Sequence, residues 1–161
     1  RTPPQAPAQE PLRDPYRGWE GSSRSSLPEQ VSAVSEYSVD WSYTSHIGEE
    51  LRKAYLVGAD LRRAVLDKSD LEGADLSGAD LRNASLREAN LMKAALDGAD
   101  LRGARLVKAR LGLSNLQGAR LDGTDLRGIR GKYAIWRDAN WWDAIMDDSL
   151  RRTLEKKWPR N

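Results

Sequence analysis

His46 is the only histidine of the chain, and it stands beside Ser45 with Asp40 a few residues upstream. Serine, imidazole and carboxylate are the parts of nucleophilic acyl transfer, in which the ring takes the hydroxyl proton and the carboxylate holds the ring. The three residues could serve a hydrolase. A surface histidine, or one in a terminal cap, accounts for the same letters more simply. No second histidine and no clustered carboxylate motif offers metal-ligand spacing. With no cysteine in the chain, thiolate ligands, thiol nucleophiles and disulfides are excluded. The glycines follow no phosphate-loop pattern. The expectation is a chain that is not an enzyme, with no cofactor, no metal and no small-molecule substrate.

A second set of reactive letters is charged and periodic. Asp60/Arg62, Asp80/Arg82 and Asp100/Arg102 recur every twenty residues inside the pentad GADLR, which begins at Gly58, Gly78 and Gly98, with the variant GARLD at Gly118. Such a ladder is either a docking face or a solvated surface whose opposite charges pair across neighbouring turns of the chain.

The elements that would position the ladder follow from a shorter period. Every fifth residue from Leu56 to Leu126 is leucine, and the residue two before each is alanine except at Ser69, Ser114 and Thr124. On an α-helix a step of five residues advances about 140° net, so these leucines would spiral over every face and bury nowhere. On a straight strand, alanine and leucine two apart share a face, but the next leucine has the wrong parity. The chain must therefore turn once per pentad, at the pair of residues after each leucine, where glycines 58, 73, 78, 98, 103, 118, 123 and 128 fall. The twenty-residue return sets four sides per coil. Each side spans roughly 10 Å and coils stack about 4.8 Å apart, which leaves an interior of four leucines per coil beside small residues.

Residues 54–148 resemble the pentapeptide-repeat family, whose pattern is A(D/N)Lxx. The resemblance implies a right-handed quadrilateral β-helix, an all-β pentapeptide-repeat solenoid, here of about five coils with a short C-terminal capping helix. Relatives often carry phenylalanine at the central position. The absence of phenylalanine from this chain points to a uniformly packed leucine interior.

The ends read differently. Residues 1–35 are expected to be an arm that is extended or disordered, with six of the seven prolines within the first thirty residues. Residues 36–53 are assigned to an N-terminal cap, with Val39, Trp41 and Tyr43 alternating as a short strand before a helical turn near Ile47 to Leu51. The leucine gives way to Gly131, Trp136, Trp141 and Met146 in the last pentads. A helix is expected from Ser149 to Trp158, so that residues 149–161 cap the other end. Caps are needed because an open coil exposes leucines and unpaired backbone.

Charge narrows the partners. The chain carries a formal net charge of +2, and residues 49–148 hold 17 Lys and Arg against 17 Asp and Glu. Neither a phosphate-binding surface nor a polyanionic mimic of nucleic acid follows from that balance, so no nucleic acid partner is expected. No apolar run approaches a membrane span. The expected partner is a protein, a larger complex met by the arm through Leu12, Tyr16 and Trp19, by the ladder and by Trp142. Trp142 faces outward in its pentad with Ile135 and Ile145, which gives either an apolar patch or packing beneath the terminal helix. Two functions fit the resemblance: an accessory or assembly subunit, or a topoisomerase-binding protein that mimics DNA, as in the gyrase-binding members. A chain that starts at Arg1 is either processed or trimmed. Together with the lumenal relatives, this suggests an organellar protein, associated with the chloroplast thylakoid and its photosystems. The alternative is a bacterial cytoplasmic or periplasmic one.

Overall fold

The structure, a computed structural model, describes residues 38–160; Leu12, Tyr16, Trp19 and the rest of the arm expected over 1–35 lie outside them. From Val39 onward, the residue before each central position forms a parallel bridge with the residue twenty further on: Asp40 with Asp60, Ser45 with Val65, Glu50 with Asp70, Tyr55 with Asp75. Four pentads thus close one coil, and four walls stack along the axis.

Hydrogen bonding between coils repeats along every wall. On the first, Leu61 N–H donates to Asp80 O at 2.8 Å, Arg63 N–H to Arg82 O at 3.0 Å, and Asp80 N–H to Ala59 O at 2.9 Å. Turns bound each wall so closely that the β character is a column of isolated bridges rather than long strands. At the corners, Leu61 O accepts from Ala64 N–H at 3.0 Å, and Arg63, third in that turn, has a φ of 57°. This is the type II arrangement, which glycine adopts freely. At Arg63, Lys68 or Asn83 the same left-handed φ costs about 1–2 kcal/mol. Packing of the coils offsets that cost.

The leucines from Leu56 to Leu126 line the interior at 1% exposure or less. Where Ser69, Ser114 and Thr124 replace alanine, their hydroxyls donate to the carbonyls of Leu66, Leu111 and Leu101 at 2.6–2.7 Å. A satisfied hydroxyl fits the small site without a buried unpaired group.

The N-terminal cap expected over 36–53 is corrected by the bridges. Winding begins at Val39, and Trp41, His46 and Leu51 occupy interior positions of the first coil. Tyr43 does not continue an alternating strand. It is an exposed corner residue with φ 62°, and Ile47 and Gly48 form the next corner in place of a helical turn.

At the other end, Trp136 and Trp141 are buried as expected. The final stretch of the first wall departs from the pattern: Leu121 N–H donates to Asn140 Oδ1 at 2.6 Å instead of to its backbone carbonyl, and Trp141–Asp143 turns as a 3-10 helix. Register returns at Leu126 N–H to Ile145 O, 2.7 Å. Helix α1, Asp148–Lys157, follows with Lys156 and Lys157 in its last turn, where they favour the helix dipole. It buries Leu154 against the open end, and Trp141 Nε1–H donates to Trp158 O at 2.8 Å.

Candidate interaction surface

The charged ladder lies on the first wall and is built within each coil. Arg62 curls back over the turn and grips Asp60 with two parallel bonds, Nε to Oδ1 at 2.8 Å and Nη2 to Oδ2 at 2.6 Å. Arg82 with Asp80 and Arg102 with Asp100 repeat this geometry. Each aspartate also accepts from the backbone N–H of its arginine at 3.2 Å. The contacts across coils, Arg62 to Asp80 and Arg82 to Asp100, are 3.9 Å long. The expected pairing across coils is therefore secondary, because the turn after each leucine returns the guanidinium over the carboxylate two residues earlier. These bonds hold Asp60, Asp80 and Asp100 below the usual carboxylate range, and burial pulls weakly the other way. The three arginines are raised for the same reason.

The ladder ends by inversion. Arg120 takes the aspartate position and Asp122 the arginine position, and Asp122 accepts from Asn140 Nδ2 at 2.6 Å, a bond that lowers its pKa. At the other end Asp40 accepts from Ser42 Oγ at 2.7 Å.

The serine and histidine of the first coil do not form a catalytic pair. Ser45 is exposed on the outer side of the second wall, whereas His46, only 7% exposed, points into the interior. Successive residues of an extended wall face opposite ways. The surface or cap position expected for His46 is corrected accordingly: its ring stacks on Trp41 with centroids 4.1 Å apart. His46 Nε2 lies 2.8 Å from Thr44 Oγ1 and Nδ1 lies 3.2 Å from Glu49 Oε1. The Thr44 hydroxyl itself donates to Trp41 O at 2.5 Å. Among the described residues no group of histidine and carboxylate side chains could hold a metal ion.

Trp142, Ile135 and Ile145 do not form one patch, because they lie on the first, fourth and second walls respectively. Trp142 is half-buried against the core, edge-on to Trp141 at 5.7 Å, with the Arg160 guanidinium 5.5 Å above its ring. Packing near the terminal helix is what this tryptophan does. Ile135 and Ile145 stay exposed.

The model of the pentapeptide repeats matches in eight copies over residues 50–83, 69–106 and 94–130. The chain belongs to the pentapeptide-repeat family. Proteins of this family wind as right-handed β-helices, the hand expected above. Among solved structures, this pentapeptide-repeat chain is 30% identical to a pentapeptide repeat protein from the thylakoid lumen of Arabidopsis thaliana, over 73% of this chain and 74% of that one, with a TM-score of 0.48. It is 30% identical to HetL of Nostoc, a pentapeptide repeat protein involved in regulating heterocyst differentiation, over 68% of each chain, with a TM-score of 0.32. QnrB1, a plasmid-mediated fluoroquinolone resistance protein, shares 19% identity over 74% of this chain and 83% of its own, with a TM-score of 0.34. No curated protein matches the sequence.

Sequence reasoning missed the pairing of Arg52 with Glu72 across coils, at 2.6 Å, and a further pair within a coil. Arg127 grips Asp125 on the second wall at 2.9 and 2.6 Å, in the ladder's own geometry. The signal was the spelling Asp-Leu-Arg at residues 125–127, identical to that at 60–62 but outside the twenty-residue series.

Proposed function

We propose that the chain is a non-enzymatic protein–protein interaction module, a rod of about five coils that docks as an accessory or assembly subunit on a larger complex. The observation that carries this reading is the first wall. Three identical bidentate Asp–Arg pairs repeat there, each fixed to the backbone, in a register set by the stacked coils. A partner would meet a pre-ordered array and lose little side-chain entropy on binding it. The arm over 1–35, through Leu12, Tyr16 and Trp19, is the second contact. The 30% identity to a thylakoid lumen protein supports an organellar, thylakoid-associated setting.

The test is co-purification from a native preparation with the full chain and with a chain lacking residues 1–35. The reading expects the deletion to release partners, and unchanged recovery of every partner would overturn it. Protection of a topoisomerase by mimicry of DNA needs a continuous acidic stripe. Here each ladder carboxylate is already neutralised by its own arginine. That reading expects inhibition of supercoiling at micromolar protein, and the module reading expects none.

A further inference from the structure

Leu113 and Tyr133 hold the same corner, between the third and fourth walls, in successive coils. Both have left-handed backbone, φ 61° and 65°, and both are exposed, at 51% and 65%. For a bulky side chain this is an expensive place. The backbone conformation is strained, and half or more of each apolar side chain stays in water. Gly73 occupies this corner two coils above Leu113, and Lys53 and Lys93 hold it in the other coils with φ of 58° and 61°, so Leu113 and Tyr133 are the apolar side chains of the column. Ile135, 40% exposed, continues the apolar surface onto the fourth wall.

Four cations stand on the walls and corners that flank this stretch. Arg110 and Arg130 stand on the third wall, Lys132 lies 5.2 Å from the centre of the Tyr133 ring, and Arg137 stands at the corner after the fourth wall. Among the described residues none of these four makes an ion pair, and Arg110 reaches only Met92 Sδ at 3.2 Å. The one carboxylate on this stretch, Asp138, lies at the next corner. These cations differ from the arginines of the ladder, each of which has its own aspartate.

The backbone adds a third observation. By the pattern of every earlier coil, the N–H groups of Gly131, Tyr133, Trp136 and Asp138 should donate to carbonyls one coil further on. Helix α1 replaces that coil, and these four donors have no partner among the described residues; Trp136 is buried, whereas Gly131, Tyr133 and Asp138 reach the surface. An open cleft lined by Trp136, Arg137, Asp138 and Trp158 reaches this edge.

We propose that the corner and edge from Gly131 to Asp138 bind an acidic, extended segment of a partner protein. The segment would lie along the coil edge as an added strand and accept from the N–H groups of Gly131, Tyr133 and Asp138. Its carboxylates would meet Arg110, Arg130, Lys132 and Arg137, and an apolar side chain would rest against Leu113, Tyr133 and Ile135. The proposal deepens the interaction-module reading, on which it rests, by giving the partner's chemistry.

The probe is a fluorescently labelled peptide in which glutamate alternates with leucine, titrated by anisotropy against the full chain, with a lysine–leucine peptide as control. The glutamate peptide should bind saturably and more weakly as salt is raised, and the lysine peptide should not bind. Leu113→Gly with Tyr133→Gly removes two strained residues, so this variant should melt at or above the wild-type temperature while losing about tenfold or more in affinity. Arg130→Glu with Lys132→Glu should lose affinity likewise. Unchanged affinity in the glycine variant would overturn the proposal. So would sedimentation with vesicles of anionic phospholipid but no binding of the peptide, since the surface would then be a lipid site. If the peptide fails to bind while native partners still co-purify with the full chain, this site is wrong and the interaction-module reading stands.

Discussion

Arg62 pairs with Asp60, two residues behind it, at 2.6 Å, and stands 3.9 Å from Asp80 in the next coil. The ladder is therefore a stack of self-contained pairs, and its stability should follow the carboxylates. Asp60, Asp80 and Asp100 have folded-state pKa values below the unfolded value of about 3.9. Their contribution is complete above that value and is lost as pH falls through the lower folded values. Melting temperature should drop as pH falls below about 4. A variant with Arg62, Arg82 and Arg102 changed to Gln should show a shallower acid-side drop. Because the arginines stand in solvent, the pairs are screened and the acid-side drop should shrink as salt is raised.

The first coil tests the interior role of His46. His46→Leu should stay within about 1 kcal/mol of wild type in urea denaturation, since leucine fills the same site one coil further on. His46→Ala removes the ring stacked on Trp41 and should cost about 1–3 kcal/mol. Hydrolysis of a model ester by the two proteins should be indistinguishable, because Ser45 faces away from His46.

Leu81 sits fully buried at mid-rod with coils on both sides. Leu81→Ala should cost about 3–5 kcal/mol, because stacked neighbours cannot collapse into the space without breaking bridges above and below. Met146→Ala, at the half-buried end, should cost less. Paired urea denaturation curves measure the difference.

The corners offer a paired test. Lys93 has a left-handed φ of 61°, so Lys93→Gly should stabilise the rod by about 1 kcal/mol or be neutral once unfolded-chain entropy is counted. Gly103→Ala should destabilise it, since the new methyl would meet the Asn83 side chain as well as adopting a φ of 72°. In calorimetric melting, Gly103→Ala should fall below the wild type and Lys93→Gly should not.

The interior and the corners were legible in the sequence because one leucine period controls both, and the twenty-residue return of GADLR made the four walls legible as well. The first coil was not. Its interior positions carry Trp41, His46 and Leu51, and Glu49 stands where alanine is the rule. An end coil has a neighbour on one side only, so its interior can be closed by a stacked aromatic pair instead of by leucine. The spacing of Val39, Thr44 and Leu51 keeps step with the later pentads, but that register shows only once the coil is known. The ladder's letters were equally plain, yet spacing alone did not say which aspartate each arginine would take. The backbone turn decided that.

Every bridge joins residues twenty positions apart, and this makes the rod a gear with a fixed pitch. Losing a single residue would throw all downstream leucines to the outside. Losing one pentad would keep them inside but carry each surface feature a quarter-turn around the axis. Removing a complete four-pentad tooth would shorten the shaft and leave every remaining feature on its own side. Length can thus drift through evolution without disturbing which side faces which neighbour.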